Sequence, residues 1–220
     1  MMKIEKDLSD TFPGLRVLEL KMSQLSIKKS DILLEEFKKK KQKEIREKIG
    51  SLEAIKNVPV LRAYRDFYWR VGIDPTKIRP AGEALTRRIL SGKDLPTINT
   101  LVDAYNIASA ESSVAIAVFD SRTVDFENLT MRRAVKGESF LGIGMDSATI
   151  LSGVEVVIED TKSGKLIAIY PYRDSDDSKV TEQSDEVLLM MCGVPGIGDD
   201  DLLYAQRLTR EYIEKFCKSV

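Results

Sequence analysis

The stretch Tyr170-Pro171-Tyr172-Arg173-Asp174-Ser175-Asp176-Asp177-Ser178-Lys179-Val180-Thr181 lies between two apolar runs, Leu166-Ile167-Ala168-Ile169 and Val187-Leu188-Leu189-Met190-Met191. Short apolar runs bounded by turn residues read as buried strands. The segment between them holds Asp174, Asp176, Asp177, Arg173 and Lys179 beside several hydroxyls, a density unlike that of a plain turn. A strand end handing over to such a loop is a common way to present polar groups at a cleft. A solvated connection is the plain alternative.

Working outward, Leu15 to Met22 alternates apolar and polar residues, the pattern of a half-buried strand. Further strands are expected at 114–119, 129–135, 139–143, 154–159, 166–172 and 187–191, with Gly137-Glu138, Gly153 and Ser163-Gly164 supplying turns. Helices are expected from about Ser30 to Gly50, from Asn57-Val58-Pro59 to Gly72, from Arg79-Pro80 to Gly92, and from Asn99 or Thr100 to Ser112. A last one starts at Asp199-Asp200-Asp201, where carboxylates suit the macrodipole without calling for a metal. The aromatic cluster Tyr64, Phe67, Tyr68 and Trp69 reads as core. These elements predict one α+β domain over 1–220, in which helices cover a mixed sheet. Within it, 1–57 contributes a strand and a lysine-rich helix, and 58–220 the core with the candidate site.

The chain of 220 residues carries a formal net charge of -1, so no global basic field drives sequence-blind nucleic-acid binding. No apolar stretch approaches the roughly 20 residues that span a bilayer, and the first residues lack the apolar segment of a secretory signal. A cytoplasmic protein with neither membrane nor DNA as partner is expected. The 2 cysteines, Cys192 and Cys217, are too few for a disulfide framework and are expected to be reduced. The count of 0 histidines removes the commonest general base and the commonest zinc ligand. No metal or cofactor is expected, and any catalysis rests on carboxylates, Lys, Tyr, hydroxyls, backbone groups or the substrate itself.

Several constellations bear chemistry. In the fourth helix Asn99, Asp103 and Asn106 lie at i, i+4 and i+7 on one flank, bordered by Ser109, and could orient a small polar ligand. The bland alternative makes Asn99 a cap and turns the others to water. In the dense loop Arg173 can pair bidentately with a carboxylate or phosphate. Asp174 or Asp176 could accept a proton, and Lys179, Ser175 and Thr181 could hold a ribose or an α-amino ester. The same groups could instead satisfy one another and the turn backbone. Glu138 stands in Gly137-Glu138-Ser139-Phe140-Leu141-Gly142-Ile143-Gly144, which lacks the spacing of a nucleotide loop, and joins the candidate substrate contacts. The run Lys38-Lys39-Lys40-Lys41 reads as a solvated helix face, with an RNA-backbone contact as the alternative.

Five ordered segments carry a resemblance. They are Arg65-Asp66-Phe67-Tyr68; Gly72-Ile73-Asp74-Pro75-Thr76-Lys77; Glu83-Ala84-Leu85 with Arg87-Arg88-Ile89-Leu90; Leu95-Pro96-Thr97-Ile98-Asn99 with Leu101-Val102-Asp103 and Asn106; and Tyr172-Arg173-Asp174-Ser175 with Lys179-Val180-Thr181. Together they resemble the editing domain (the B-three/B-four region) of the phenylalanyl-tRNA synthetase beta subunit, and more closely the freestanding proteins made of that domain. The resemblance spans roughly Phe12 to the C-terminus. It implies an α+β layered sandwich and a trans-acting hydrolase that cleaves the ester of mischarged aminoacyl-tRNA, with the acceptor end of the tRNA as partner. It also implies a chain unable to charge tRNA on its own. Lacking histidine, the chain departs from a histidine contact of some synthetase editing pockets. On this resemblance Arg173 and Lys179 are expected to engage the terminal nucleotide or the carbonyl, and Asn99, Asp103 and Asn106 the amino acid. Asp174 is expected to orient water or Arg173. The alternatives are a non-catalytic RNA- or protein-binding module and an amino-acid sensor of the same fold.

Overall fold

The apolar run at 187–191 becomes the middle strand of a three-stranded sheet in the computed structural model, which describes residues 2–218. In chain order the elements are β1 (Lys3–Ile4), α1 (Lys6–Thr11), β2 (Arg16–Met22), α2 (Ile32–Ile49), α3 (Pro59–Arg70), α4 (Ala81–Leu90) and α5 (Thr100–Ser112). Then come β3 (Ile116–Asp120), β4 (Leu129–Arg133), β5 (Ser139–Phe140), β6 (Thr149–Ile150), β7 (Val156–Asp160) and β8 (Lys165–Ile169). The last are β9 (Arg173–Asp174), β10 (Val187–Gly193) and α6 (Asp199–Cys217).

The smaller sheet has the order β2-β10-β3, with β10 antiparallel to both neighbours. Every residue of β10 is buried, which explains why its sequence is continuously apolar rather than alternating. A five-stranded sheet has the order β1-β4-β7-β8-β9; β1 runs parallel to β4 and the other pairs are antiparallel. A short hairpin, β5–β6, stands apart. The architecture is α+β with a mixed sheet, as the strand and helix periods predict.

Helix boundaries follow local chemistry. Asp31 starts α2 by accepting from the amides of Leu33 and Leu34 at 2.9 and 3.1 Å. Gly50 ends it at φ 84°, a left-handed value that glycine adopts freely. Pro59 occupies the first turn of α3, where its missing N–H costs nothing. Asn99 caps α5 through a 2.9 Å bond from the Val102 amide. In α6 the Asp201 carboxylate accepts from the Gly198 amide at 3.1 Å.

Helix α5 packs against α6, α4 and α2, while α6 also covers β10 and β2. On α3, Tyr64, Phe67 and Tyr68 are fully buried, as the sequence predicts. The Tyr64 hydroxyl donates to the Cys192 carbonyl and accepts from the Ala115 amide, so α3 ties β10 to the approach of β3. The Tyr170 hydroxyl reaches the carbonyls of Arg16 and Gly193, both at 3.0 Å, and joins the end of β8 to the smaller sheet. Trp69 corrects the sequence reading: it is 58% exposed, because it follows the buried stripe by one residue and so turns to the outer face of α3. Cys192 and Cys217 are free and buried. Among the described residues no helix is long and apolar enough to cross a membrane.

Candidate active site

Strand β3 is an edge. It pairs with β10 on one side only, and alternation along the strand then turns every second peptide outward. The Cys192 amide donates to the Ala115 carbonyl, so Ala115 and Ala117 face β10, while Ile116 and Val118 turn their N–H and C=O groups the other way. Strand β9, the edge of the larger sheet, lies against this free side. Between the two edges is a cleft of about 180 Å³, floored by Ala115, Ile116, Ala117 and Cys192 and walled by Tyr105, Asn106 and the segment from Ala168 to Asp174.

Asp174 is the chemically distinctive group. Burial between the sheet edges pushes its carboxyl up to about 7, only partly offset by the bond it accepts from the Val118 amide. A carboxyl placed in a cleft and poised near neutrality has the properties of a proton-transfer group. Across from it, burial raises the Tyr105 phenol first, and the nearby charges of Asp174 and Asp103 raise it further, so that Tyr105 remains a hydrogen-bond donor. The Cys192 thiol on the floor is also pushed up by burial, which makes it a poor nucleophile.

Arg173 borders the cleft from β9. One of its terminal nitrogens donates to the Ile143 carbonyl at 2.6 Å. Its guanidinium lies 5.0 Å from the Tyr172 ring, and its Nε is buried without a partner. The arginine stem runs over Gly142, where a Cβ would come within 2.3 Å of the Arg173 Cδ. Gly142→Ala is therefore expected to displace Arg173 and to cost about 1–3 kcal/mol through overpacking. Thermal melts beside ligand-affinity measurements on that variant check both effects.

Only Asn106, Arg173 and Asp174 of the sequence-derived site residues meet at this cleft. The other expected site residues lie outside this cleft and have partners of their own in the fold. Asp103 is 1% exposed and pairs with Lys38 at 2.9 Å, while its second oxygen accepts from the Ile98 amide at 2.9 Å. Burial pushes the Asp103 carboxyl up against the pull of Lys38. Asn99 is occupied as the α5 cap, and Ser109 donates to the Val114 carbonyl at 2.7 Å. The polar stripe of α5 thus exists, but the segment at 95–98 and α2 cover its first two members, and Asn106 alone opens to the cleft.

Lys179 is held by Asp176 at 2.7 and 2.9 Å. Ser175 is buried and accepts from the Asp177 amide at 3.3 Å. Glu138 forks onto Arg132 at 2.6 and 3.0 Å, and it borders with Ser175 a separate hollow of about 440 Å³. Thr181 accepts from Arg122 at 3.1 Å, on the far side of the turn. Among the lysines, Lys38 is 2% exposed and cannot meet an RNA backbone, because its ammonium is consumed by Asp103, Glu35, Pro96 and Thr97. Lys41 pairs with Glu111 and Glu44 at 3.2 and 3.1 Å, whereas Lys39 and Lys40 are exposed.

The sequence reading missed Tyr105, the outward peptides of β3, and Cys192 as part of the cleft. Tyr105 neighbours Asn106 in sequence and was available as a signal. The strand edge had none, since edge status is decided by which strand pairs where.

Comparison with known proteins bears on the whole arrangement. A family model described as the B3/4 domain matches residues 63–207, well over half of the chain. The phenylalanine–tRNA ligase beta subunit of Symbiobacterium thermophilum is 26% identical over 149 residues, which cover 66% of this chain and 16% of that subunit. The match therefore spans a small part of that relative. An N-terminal fragment of the phenylalanyl-tRNA synthetase beta subunit from Pyrococcus horikoshii, known from its crystal structure, superposes with a TM-score of 0.50. That superposition covers 99% of this chain and 49% of the fragment at 12% identity, a likeness of fold alone.

Proposed function

The chain belongs to the B3/4 domain family, and from that premise we propose that it is a trans-acting hydrolase that cleaves the ester of mischarged aminoacyl-tRNA. The observation that carries this reading is Asp174, a carboxyl poised at about 7 between two strand edges. An aminoacyl ester is already activated, so positioning supplies much of what the reaction needs. Asp174 in its ionised form would accept a proton from the attacking water. The outward amide of Ile116 would donate to the developing oxyanion, a group that water in free solution stabilises far less well. Asn106 and the Tyr105 hydroxyl would grip the amino acid, and Arg173 would hold the ribose–phosphate end. The substrate's adjacent ribose hydroxyl suits a site without histidine, since it can take part in the same proton relay. Lys39 and Lys40 remain as exposed cations for the tRNA body. The reaction would take place where aminoacyl-tRNA circulates, in the cytoplasm.

The test is incubation of the purified protein with a panel of mischarged tRNAs while release of each amino acid is followed. Release of one or a few amino acids at a rate above that of spontaneous hydrolysis is the expected result. Salt-sensitive tRNA binding without any release would assign the fold to a binding module instead. A melting temperature raised by free amino acid alone would assign it to a sensor.

A further inference from the structure

The chain has a single tryptophan, Trp69, and the fold leaves it 58% exposed. Arg62, Arg65, Asp66 and Trp69 lie at i, i+3, i+4 and i+7 along α3, so they share one face of the helix. That face opens on a hollow of about 310 Å³ that also takes in Ile55 and Lys56. The charge around it is unbalanced. Asp66 is the one carboxylate among the lining residues, and Arg62 and Lys56 are exposed. The Glu83 carboxylate, 0% exposed, serves both Arg65, at 3.0 and 3.1 Å, and Arg87, at 2.7 Å. One negative charge shared by two guanidiniums leaves a net positive charge at that end of the hollow. None of this is part of the catalytic cleft, although the two are joined: Tyr68, next to Trp69, reaches the Pro171 carbonyl on the cleft wall at 3.4 Å.

We propose that this hollow is a stacking site for an unpaired nucleotide of RNA, with the base on Trp69 and the flanking phosphates on Lys56, Arg62 and Arg65. A flat aromatic face among cations is the combination that single-stranded nucleic acid requires, because every base has a face to stack and every linkage a charge to neutralise. An apolar peptide would use the ring but leave Lys56 and Arg62, and the excess positive charge that Arg65 and Arg87 share over Glu83, without a counter-charge. The proposal rests on the proposed function only for the choice of RNA over DNA. The site deepens that reading by giving the enzyme a grip on the strand apart from the ester.

Because Trp69 is the only tryptophan in the chain, its fluorescence reports the contact directly. Titration of the whole protein with an uncharged single-stranded RNA oligonucleotide is expected to quench the emission, and a duplex of the same sequence is expected to leave it unchanged. Three phosphate contacts give a salt slope of about -2 for a single strand, which Arg62→Ala lowers by about 0.7. Followed by anisotropy of labelled RNA, Trp69→Ala is expected to weaken binding between about fivefold and a hundredfold, with Trp69→Phe partly restoring it. Since Trp69 is on the surface, these variants keep the fold. Binding of RNA with no change in Trp69 emission would overturn the proposal, as would equal affinity of Trp69→Ala and the parent protein. Equal quenching by single-stranded DNA would keep the stacking site and remove the assignment to RNA. Uncharged RNA carries no ester, so the proposed hydrolysis fails or stands independently of this result.

Discussion

Lys38→Met is expected to lower folding stability by about 3–5 kcal/mol, the cost of leaving a buried charge without its counterion. Asp103 would be the group stranded: it is 1% exposed and would keep only the bond from the Ile98 amide. For a chain of this size such a loss is a fall of roughly 10 °C in melting temperature. Asp103→Ala should cost less, near the lower end of that range, since Lys38 would retain Glu35 at 2.7 Å and the oxygens of Thr97 and Pro96. The double variant should lose far less than the sum, because an apolar pair needs no compensation. Chemical denaturation of the four proteins in one cycle measures the coupling. If Asp103→Ala instead kept full stability and abolished ester cleavage, Asp103 would be a catalytic group and its structural assignment would fail.

The Lys38–Asp103 pair also shows what a sequence can and cannot reveal. Its members are 65 positions apart, and neither carries a local mark of burial. Lys38 stands in a lysine run that reads as solvated, and Asp103 stands on a polar stripe that reads as a ligand face. Elements set by local chemistry were legible. Asn99 as a cap, Pro59 in a first turn, Gly50 as a stop and the unbroken apolar run of β10 each place an element end or a core strand. The two-residue strands β1 and β9 were not, since they are too short to show a period. Nor was the free edge of β3, which exists because β10 inserts between β2 and β3, two strands that lie far from it in the chain. Half of the cleft was visible for the same reason. Arg173 and Asp174 stood out as a polar density at a strand end, whereas the backbone that receives them is defined only by tertiary pairing.

Asp174→Asn should reduce the proposed ester cleavage by a factor of about 10²–10⁴, the usual contribution of a positioned proton-transfer group. Asparagine keeps the shape and an oxygen for the Val118 amide but cannot take a proton. The rate of the proposed cleavage by the parent protein should rise with pH and level off above about 7, where the carboxyl is ionised. The variant should lose that inflection. Stability should move in the opposite sense. The folded-state carboxyl titrates near 7, against about 3.9 in an unfolded chain, so the folded state holds its proton more tightly. The resulting stabilisation is complete below about pH 4 and is lost as pH rises through 7. A shift of about three units corresponds to some 4 kcal/mol, and partial exposure of the side chain trims this to the order of 2–3 kcal/mol. Asp174→Asn should therefore be the more stable protein at pH 8, and its stability should change less between pH 5 and pH 8. Denaturation at those two values, beside the pH profile of cleavage, separates a strained catalytic carboxyl from an ordinary structural one. A structural carboxylate, ionised and well partnered, would make the variant less stable at pH 8 and leave the rate profile unchanged.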